Sequence, residues 1–502
     1  MPAERLARGG LISLVGSGIA ALSSLLLTVL VGQVLGASGT GIFFQALGIF
    51  TVLTQVLRLG TNTGIVRFIA EHRAFAREGG EWRIILFAAV PVAVVSAVMS
   101  IVVWFASDAL ARWMSSPDDT DLLAALLRTM APFIAMSAVL GVVEASARML
   151  RGVAVFTLLQ SVMLPLSRLL AVGIFALAGA TAWRAFEAWL LPLPLWLVVG
   201  AVVIAAPLVR SFRRRSRSID DDQLTARAFW RFNLPRSVGS ALEIALEWAD
   251  VLIVAAIASP SVAGVYAVVT RVIKAGGIVD QAMRIAVSPT ISAMLARSEH
   301  ARVSALHTSV VRAMILLSWP FYVLTISMGG AVLSLFGPEF VVGWAPMTLL
   351  AVSLMLQIAC GMLQSILIQG GKSTWQMYNK SIAVTLSVAG NLALVPVLGI
   401  WGAAITWLVV AVTDNMIAAV QVHRRMGVHL QPGRLVRAML PPLVVFGLGG
   451  AVFSILWELG PLPLLIAVAV LGSIYLAVLW VLRRWLDIVP LWRKVPVLKR
   501  YA

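Results

Sequence analysis

Fourteen apolar runs of about 20 residues divide this chain, and they limit what it can fold into. A helix of about 20 apolar residues crosses a hydrocarbon layer roughly 30 Å thick. Of the 502 residues, 60% are hydrophobic and only 12% are charged, a balance far more apolar than that of soluble domains. We therefore predict an all-α polytopic membrane protein with about 14 transmembrane helices. The runs lie near 11–35, 41–66, 84–106, 122–143, 153–178, 186–209, 235–258, 263–290, 309–335, 346–368, 377–397, 400–421, 438–457 and 462–482.

The basic residues indicate an orientation for these spans. If the N-terminus is cytoplasmic, the alternate inside segments hold 32 of the 39 Lys and Arg residues, and the outside loops hold only Arg112 and Arg184. Cytoplasmic loops of membrane proteins carry such an excess of basic residues. We therefore predict that both termini are cytoplasmic, and we interpret the run from Leu11 as a retained first span rather than a cleaved signal.

The net charge of +17 does not indicate nucleic-acid binding, because the basic residues sit in short loops between apolar runs. The bilayer is the partner that this distribution predicts. The single cysteine, Cys360, excludes an internal disulfide and a metal site built from several cysteines. No P-loop motif is present, and the five histidines lack a metal-ligand spacing, so we expect no cofactor, no metal and no enzymatic activity.

The longest basic loop, "RSFRRRSRSIDDD" at 210–222, predicts a joint between two halves. We assign 1–210 to an N-lobe of helices 1–6, 211–234 to a basic cytoplasmic linker, and 235–425 to a C-lobe of helices 7–12. Residues 426–502 then form two extra helices and a basic cytoplasmic tail. Because six is even, both lobes start on the same side, which predicts a parallel repeat about a pseudo-two-fold axis along the membrane normal.

Three stretches resemble a known family. They are "LGASGTGIFFQA" at 35–46, "ADVLIVAAIASPSVAGVYAVVTRV" at 249–272 and "VPVLGIWGAAITWLV" at 395–409. With the fourteen-span plan, they resemble the polysaccharide-biosynthesis (Wzx-type) branch of the MOP flippase superfamily, which also contains the MATE exporters and the lipid II flippases. The resemblance implies a transporter of undecaprenyl-diphosphate-linked oligosaccharide across the bacterial cytoplasmic membrane. It does not identify the sugar.

Three carboxylates in the seventh predicted span are the first functional pointer. Glu243, Glu247 and Asp250 follow the spacing i, i+4, i+7, which places them on one stripe of a helix. A charged side chain near the bilayer centre costs roughly 2.5–3.5 kcal/mol on insertion scales, so such residues usually face a cavity or another helix. Two carboxylates one turn apart raise each other's proton affinity. Glu243 and Glu247, together with Asp250 on the same stripe, are therefore candidates for ion coupling.

Five basic residues within spans are the second pointer: Arg58, Arg128, Arg168, Arg271 and Lys274. Arg and Lys bind phosphate oxygens through charge-assisted hydrogen bonds, so these residues are candidates for binding the diphosphate head group. Two alternatives stay open. In the first, the acids of span seven form buried structural ion pairs with the bases of span eight. In the second, Arg58, Arg128 and Arg168 extend their charged ends to the membrane surface or pair with a neighbouring helix.

Asp250 also has a structural interpretation. In the family that the chain resembles, an acid is common at this position, which suggests that Asp250 pairs with another residue to hold the fold together.

Two other functions also remain open. One is a MATE-like cation-coupled multidrug exporter, which a net acidic cavity would favour. The other is a non-transporting membrane component of glycan assembly. A polysaccharide polymerase and glycosyltransferases are the protein partners that the flippase interpretation suggests.

Overall fold

The structure is a computed structural model that describes residues 2–74, 80–179, 181–213, 225–428, 432–457 and 460–486. No β-strand occurs within these ranges, so the all-α prediction is confirmed. Residues 214–224 of the predicted basic linker and the predicted basic tail from residue 487 lie outside the described residues. By contact clustering the chain forms two compact units, Met1–Ala267 and Val268–Ala502. The boundaries predicted for the N-lobe and the C-lobe stay a prediction.

Ten α-helices begin among the described residues of the first unit. They are α1 (Pro2–Leu57), α2 (Thr61–Ala74), α3 (Glu81–Met114), α4 (Thr120–Leu150), α5 (Val153–Thr157), α6 (Leu164–Leu177), α7 (Ala182–Leu190), α8 (Pro192–Arg213), α9 (Ala226–Ile257) and α10 (Pro260–Ala275). A 3-10 turn at Pro117–Asp119 precedes α4, and a π-turn at Leu158–Met163 joins α5 to α6. The boundary between the units falls within α10.

Ten more α-helices begin in the described part of the second unit. They are α11 (Ile278–Ala296), α12 (His300–Ser327), α13 (Gly329–Ser334), α14 (Trp344–Cys360), α15 (Leu363–Gln369), α16 (Ser373–Leu398), α17 (Ile400–Met426), α18 (Pro432–Pro442), α19 (Gly449–Leu456) and α20 (Pro461–Val481). A 3-10 turn at Pro338–Gly343 precedes α14, and a π-turn at Leu443–Leu448 joins α18 to α19.

The number of spans differs from the prediction. Within the described ranges, 11 helices are long and apolar enough to cross a membrane, or up to 12 if one bent pair counts as a span, so the count of fourteen is not confirmed. One reason is that Val15–Arg73 counts once although it has 59 residues. At 1.5 Å per residue it would extend about 88 Å, almost three times the hydrocarbon thickness. It contains two predicted spans, which meet at the non-helical residue Gly36 (φ 64°, ψ −172°).

The charges of α9 are a second reason for the difference. The last 18 residues of α9 contain Glu243, Glu247 and Asp250, so this helix carries more charge than an ordinary span does. The bent pair is α10 with Ile278–Ser288 of α11, at an angle of 45°. The deviations therefore fall where the chain is kinked or charged, not in its plainly apolar segments.

Large apolar side chains cover much of the surface, as expected for helices that face lipid. On α20, for example, Leu462, Leu465 and Leu476 are each more than 60% exposed. In water, leaving a leucine exposed in this way forgoes roughly 1.5–3 kcal/mol of burial free energy per side chain. In a bilayer the same faces meet acyl chains, so the fold is that of a multi-pass membrane protein.

Helices α1 and α10 cross in backbone contact within the first unit. A Cβ atom at Gly41 would collide with the carbonyl oxygen of Pro260, and one at Gly264 would collide with the carbonyl oxygen of Ala37. Small residues let helix backbones approach this closely in membranes. Gly41 and Gly264 therefore mark the crossing point of α1 and α10.

Asp414 joins three helices of the second unit. Its carboxylate accepts hydrogen bonds from Lys380 Nζ at 2.8 Å and from Gln364 Nε2 at 3.0 Å. The side chain is 5% exposed. These contacts connect α15, α16 and α17.

Candidate functional site

A break in the second predicted span forms the base of the candidate site. Helix α1 ends at Leu57 and α2 begins at Thr61, and between them Leu59 (φ 50°) and Gly60 (φ 69°) adopt the left-handed region. A residue with a side chain pays roughly 1–2 kcal/mol for this conformation, which glycine adopts freely. Helix N-termini carry a partial positive charge and favour anions, so the start of α2 is electropositive.

This break opens onto a pocket of about 320 Å³. Helix α9 supplies the opposite wall, and all the lining residues belong to the first unit. We call this cavity the Arg58 pocket. It is lined by Gln55, Arg58, Gly60, Asn62, Thr63, Ser240, Glu243, Ile244 and Glu247. Its volume lies at the lower end of the range for ligand pockets, roughly 300–1,000 Å³.

The structure thus brings three of the residues predicted from sequence into one pocket. Arg58 lies at the helix break, and Glu243 and Glu247 lie one turn apart on α9. Both glutamates are exposed, whereas Arg58 is half-buried and its Nε atom is buried. The charged lining therefore consists of one base and two acids, and the uncharged polar lining groups are two amides and two hydroxyls.

A second group of charges lies behind Arg58, away from the pocket lining. Glu144 on α4 is only 3% exposed, and it interacts electrostatically with both Arg58 and Arg168. Arg168, on α6, lies with its guanidinium carbon 3.7 Å from the ring centroid of Trp189. Such stacking of a cation on an aromatic face contributes about 0.5–2 kcal/mol. We call Arg58, Glu144 and Arg168 the buried charge cluster.

The cluster is not closed by hydrogen bonds. Among the described side chains, nothing accepts a hydrogen bond from the buried Nε atoms of Arg58 and Arg168, and nothing donates one to Glu144 Oε2. An unpaired buried polar group costs about 1–3 kcal/mol, and more when it is charged. Unpaired charges of this kind inside a membrane protein mark functional positions more often than structural ones.

Gly141 positions Arg58 within the cluster. A Cβ atom at Gly141 would collide with Nε and Cδ of the Arg58 side chain. Gly141 and Glu144 are three residues apart on α4, so they share a face. Arg58 therefore packs directly onto the helix that carries its buried counter-charge.

Asp250 lies outside the Arg58 pocket. Its side chain is 6% exposed and accepts a hydrogen bond from Tyr266 Oη at 2.9 Å, joining α9 to α10. This contact supports the interpretation of Asp250 as a pairing residue of the fold. Its predicted role in ion coupling stays a prediction.

Replacing Tyr266 with phenylalanine is expected to lower the stability of the protein by about 1–3 kcal/mol. The change removes a donor from the buried Asp250 carboxylate and leaves the ring packing intact. The measurement is the thermal midpoint in detergent. Tyr378→Phe is the matched control, because Tyr378 is 59% exposed. Equal midpoints for the two variants would contradict a pairing role for Asp250.

Arg128 lies apart from the pocket as well. It is exposed, pairs with the carboxylate of Asp108, and donates from Nε to Ser107 Oγ at 3.0 Å. Arg271 and Lys274 belong to the second unit, where Arg271 is half-buried and Lys274 is exposed. Lys274 Nζ lies 5.6 Å from the ring centroid of Trp407. Head-group binding by these three residues stays a prediction, and the contact with Asp108 favours the alternative of helix pairing for Arg128.

Sequence reasoning missed Glu144 and the helix break. The predicted fourth span ended at residue 143, so Glu144 fell just outside it and was not treated as an intramembrane charge. The structure continues α4 to Leu150. The break had a signal in "RLGTNTG" at 58–64, where two glycines and three polar residues interrupt an apolar run.

No group of three or more His, Cys, Asp or Glu side chains within the described ranges is placed to hold a metal ion. The described lining of the Arg58 pocket offers charged and polar side chains. An arginine at a helix N-terminus suits an anion, and paired carboxylates suit protons or cations.

Residues 6–295 match the family of polysaccharide biosynthesis proteins. The chain belongs to that family. The matched range covers more than half of the sequence and includes every residue of the Arg58 pocket and of the buried charge cluster. No curated protein matches the sequence.

Solved structures show which fold this member of the family has. The lipid II flippase MurJ in an inward closed conformation is 11% identical, with a TM-score of 0.75 over 95% of this chain and 100% of that one. An inward-facing MATE multidrug transporter is 16% identical, with a TM-score of 0.64 over 83% and 98%. A MOP superfamily transporter from Pyrococcus furiosus, described as having a binding pocket of reverse polarity, is also 16% identical, with a TM-score of 0.55 over 84% and 95%. This family member therefore has the MOP superfamily fold that the sequence resemblance predicted.

Proposed function

We propose that this protein is a flippase that moves an undecaprenyl-diphosphate-linked oligosaccharide across the bacterial cytoplasmic membrane by ion-coupled alternating access. The proposal depends above all on the position of Arg58. Arg58 lies at a helix break, next to the electropositive start of α2, and it lines the Arg58 pocket. It belongs to a segment that is long and apolar enough to cross a membrane. Half-helix N-termini point at anionic substrate groups in other transporters with broken helices. Membership of the polysaccharide biosynthesis family supports a glycan as cargo.

The diphosphate is the part of such a substrate that fits the pocket. An arginine binds phosphate oxygens with two parallel hydrogen bonds. Gln55, Asn62, Thr63 and Ser240 offer amide and hydroxyl groups to a sugar next to the phosphate. A cavity of about 320 Å³ suits this linkage region rather than a complete oligosaccharide. The polyprenyl tail stays in lipid, and the cargo crosses without covalent change.

Ion coupling is assigned to Glu243 and Glu247, which face Arg58 across the pocket. Two carboxylates one helical turn apart share protons, because the charge on one disfavours ionisation of the other. We propose that their protonation follows which side of the membrane the pocket faces. Cytoplasmic termini and association with a polymerase or with glycosyltransferases belong to the same proposal.

Glu247→Gln is expected to abolish or uncouple transport while leaving protein abundance unchanged. The substitution keeps the size of the side chain and removes its ability to exchange a proton. Transport in proteoliposomes and quantitative blotting of membranes measure the two quantities. Glu71→Gln is the control, because Glu71 is an exposed residue near the surface residue Arg67. Wild-type transport by Glu247→Gln would refute the assignment.

A MATE-like exporter of organic cations is the second candidate, and one observation favours it. The Arg58 pocket contains two carboxylates against one base, and a net acidic cavity suits a cationic substrate. The buried cation of Arg58 opposes such a substrate, and so does the start of α2. The net charge of the pocket, and hence the substrate that it suits, depends on whether Glu243 and Glu247 carry protons.

Binding measurements separate the two candidates. Calorimetric titration of the purified protein with geranyl diphosphate tests for an anion site, and titration with tetraphenylphosphonium tests for a cation site. The flippase proposal predicts saturable binding of geranyl diphosphate and none of geraniol, which has no phosphate. Binding of tetraphenylphosphonium without binding of the diphosphate would favour the exporter.

A further inference from the structure

Glu144 has no role in the function proposed so far, yet it is the most deeply buried acid close to the site. It is 3% exposed, and its Oε2 atom receives no hydrogen bond from any described residue. Of the described titratable groups, Arg58 and Arg168 act on it electrostatically. Arg58 alone connects the two regions, because it lines the pocket on one side and faces Glu144 on the other.

We propose that Glu144 is an internal counter-anion for Arg58 and Arg168, and that it takes up one proton when a lipid diphosphate binds Arg58. The inference rests on the proposed function, since it takes the diphosphate as the ligand of Arg58. Without ligand, the buried carboxylate of Glu144 partly balances two half-buried guanidinium groups whose Nε atoms are buried. Burial disfavours the charged form of Glu144, and attraction to Arg58 and Arg168 favours it. A diphosphate placed on Arg58 compensates that cation from the pocket side, so the balance at Glu144 shifts toward the protonated form.

Burial decides which carboxylate takes this proton. Glu243 and Glu247 are exposed to the pocket, so water screens their response to the added charge. Glu144 is enclosed in protein of low dielectric constant, where the loss of a counter-charge has a larger effect. We therefore separate two events: Glu144 is protonated on ligand binding, whereas Glu243 and Glu247 respond to the side that is open.

The step is a simple proton transfer. A proton from bulk water enters through the pocket and binds a carboxylate oxygen of Glu144, and no bond of the substrate forms or breaks. Arg168 keeps its place on Trp189 throughout, since it does not line the pocket. When the diphosphate leaves, the charge of Arg58 is no longer compensated from the pocket side. Glu144 then becomes its counter-charge again and releases the proton.

The test is calorimetric titration of purified, detergent-solubilised protein with geranyl diphosphate at pH 8. Running it in two buffers of different ionisation enthalpy gives the number of protons taken up on binding. We expect about one proton for the wild type and close to none for Glu144→Gln. For one linked proton, the wild-type affinity should rise up to about tenfold for each unit by which the pH falls, and this slope should vanish in Glu144→Gln.

The double variant Glu243→Gln/Glu247→Gln is the matched comparison, because it removes two exposed carboxylates and leaves Glu144 in place. Proton uptake that persists in the double variant supports the role of Glu144. Uptake that persists in Glu144→Gln, or disappears in the double variant, overturns it. If Glu144→Gln does not fold, the double variant alone decides. Absence of diphosphate binding in every protein would instead overturn the proposed function, and this role with it.

Discussion

Replacing Arg58 with glutamine should reduce transport of a lipid-linked glycan about 100-fold or more. Removing one partner of a buried charged contact with a ligand typically costs about 2–5 kcal/mol, and each 1.4 kcal/mol is tenfold in affinity. The protein should still fold, because Glu144 keeps Arg168 as a counter-charge. Arg58→Lys should recover only part of the activity, since an ammonium lacks the two-pronged geometry that matches phosphate.

Arg128→Gln is the control for this prediction. It also removes an arginine from a predicted span, but Arg128 is exposed and pairs with Asp108 at the protein surface. Exposed ion pairs contribute about 0–1 kcal/mol, so we expect near-normal transport. The readout is the initial rate in proteoliposomes, normalised to incorporated protein. Equal losses of transport rate in the Arg58 and Arg128 variants would show that the effect of Arg58 does not come from its place in the pocket.

Adding one methyl group at Gly264 should destabilise the protein severely. A Cβ atom there would collide with the backbone carbonyl oxygen of Ala37, so α1 and α10 would have to separate. Overpacking of this kind usually costs about 1–3 kcal/mol, and backbone cannot move aside as a flexible side chain can. We expect Gly264→Ala to lower the thermal midpoint by several degrees and to reduce the amount of folded protein. Size-exclusion profiles of solubilised membranes measure the second effect.

Gly239→Ala should have the opposite effect. Gly239 lies within α9, and nothing is within 4 Å of the position that its Cβ atom would occupy. Alanine is favoured over glycine in a helix by about 0.5–1 kcal/mol. The thermal midpoint should therefore stay the same or rise. A similar loss for both variants would mean that the crossing at Gly264 is not the cause.

The membrane class, the all-α fold and the family were predictable because they depend on properties that lie in the sequence itself. Apolar runs longer than 18 residues form few structures other than transmembrane helices, and charges within them are rare enough to be noticed. That is why Arg58, Glu243 and Glu247 could be selected before their positions were known. The three residues line the same pocket, and their roles stay proposals.

The pairing of charges was not predictable, because it depends on packing between helices distant in sequence. Arg58 and Arg128 look alike in the sequence, yet one lines a pocket and the other pairs with Asp108 on the surface. Glu144 was missed because the end of a helix is the least certain part of a sequence-based assignment. It lay one residue beyond the predicted span. Charges within a few residues of a predicted boundary therefore need the same attention as those inside it.

We propose that this protein moves a lipid-diphosphate glycan between leaflets. Flipping by the reconstituted protein is the direct test of this proposal. Purified protein is placed in liposomes that contain fluorescent lipid-linked glycan extracted from the producing organism, and a membrane-impermeant quencher reports movement between leaflets. We expect rapid, protein-dependent loss of protected fluorescence for this glycan, a slow rate with Arg58→Gln, and no acceleration for a labelled phospholipid. Protein-dependent uptake of tetraphenylphosphonium with no movement of the glycan would contradict the flippase proposal.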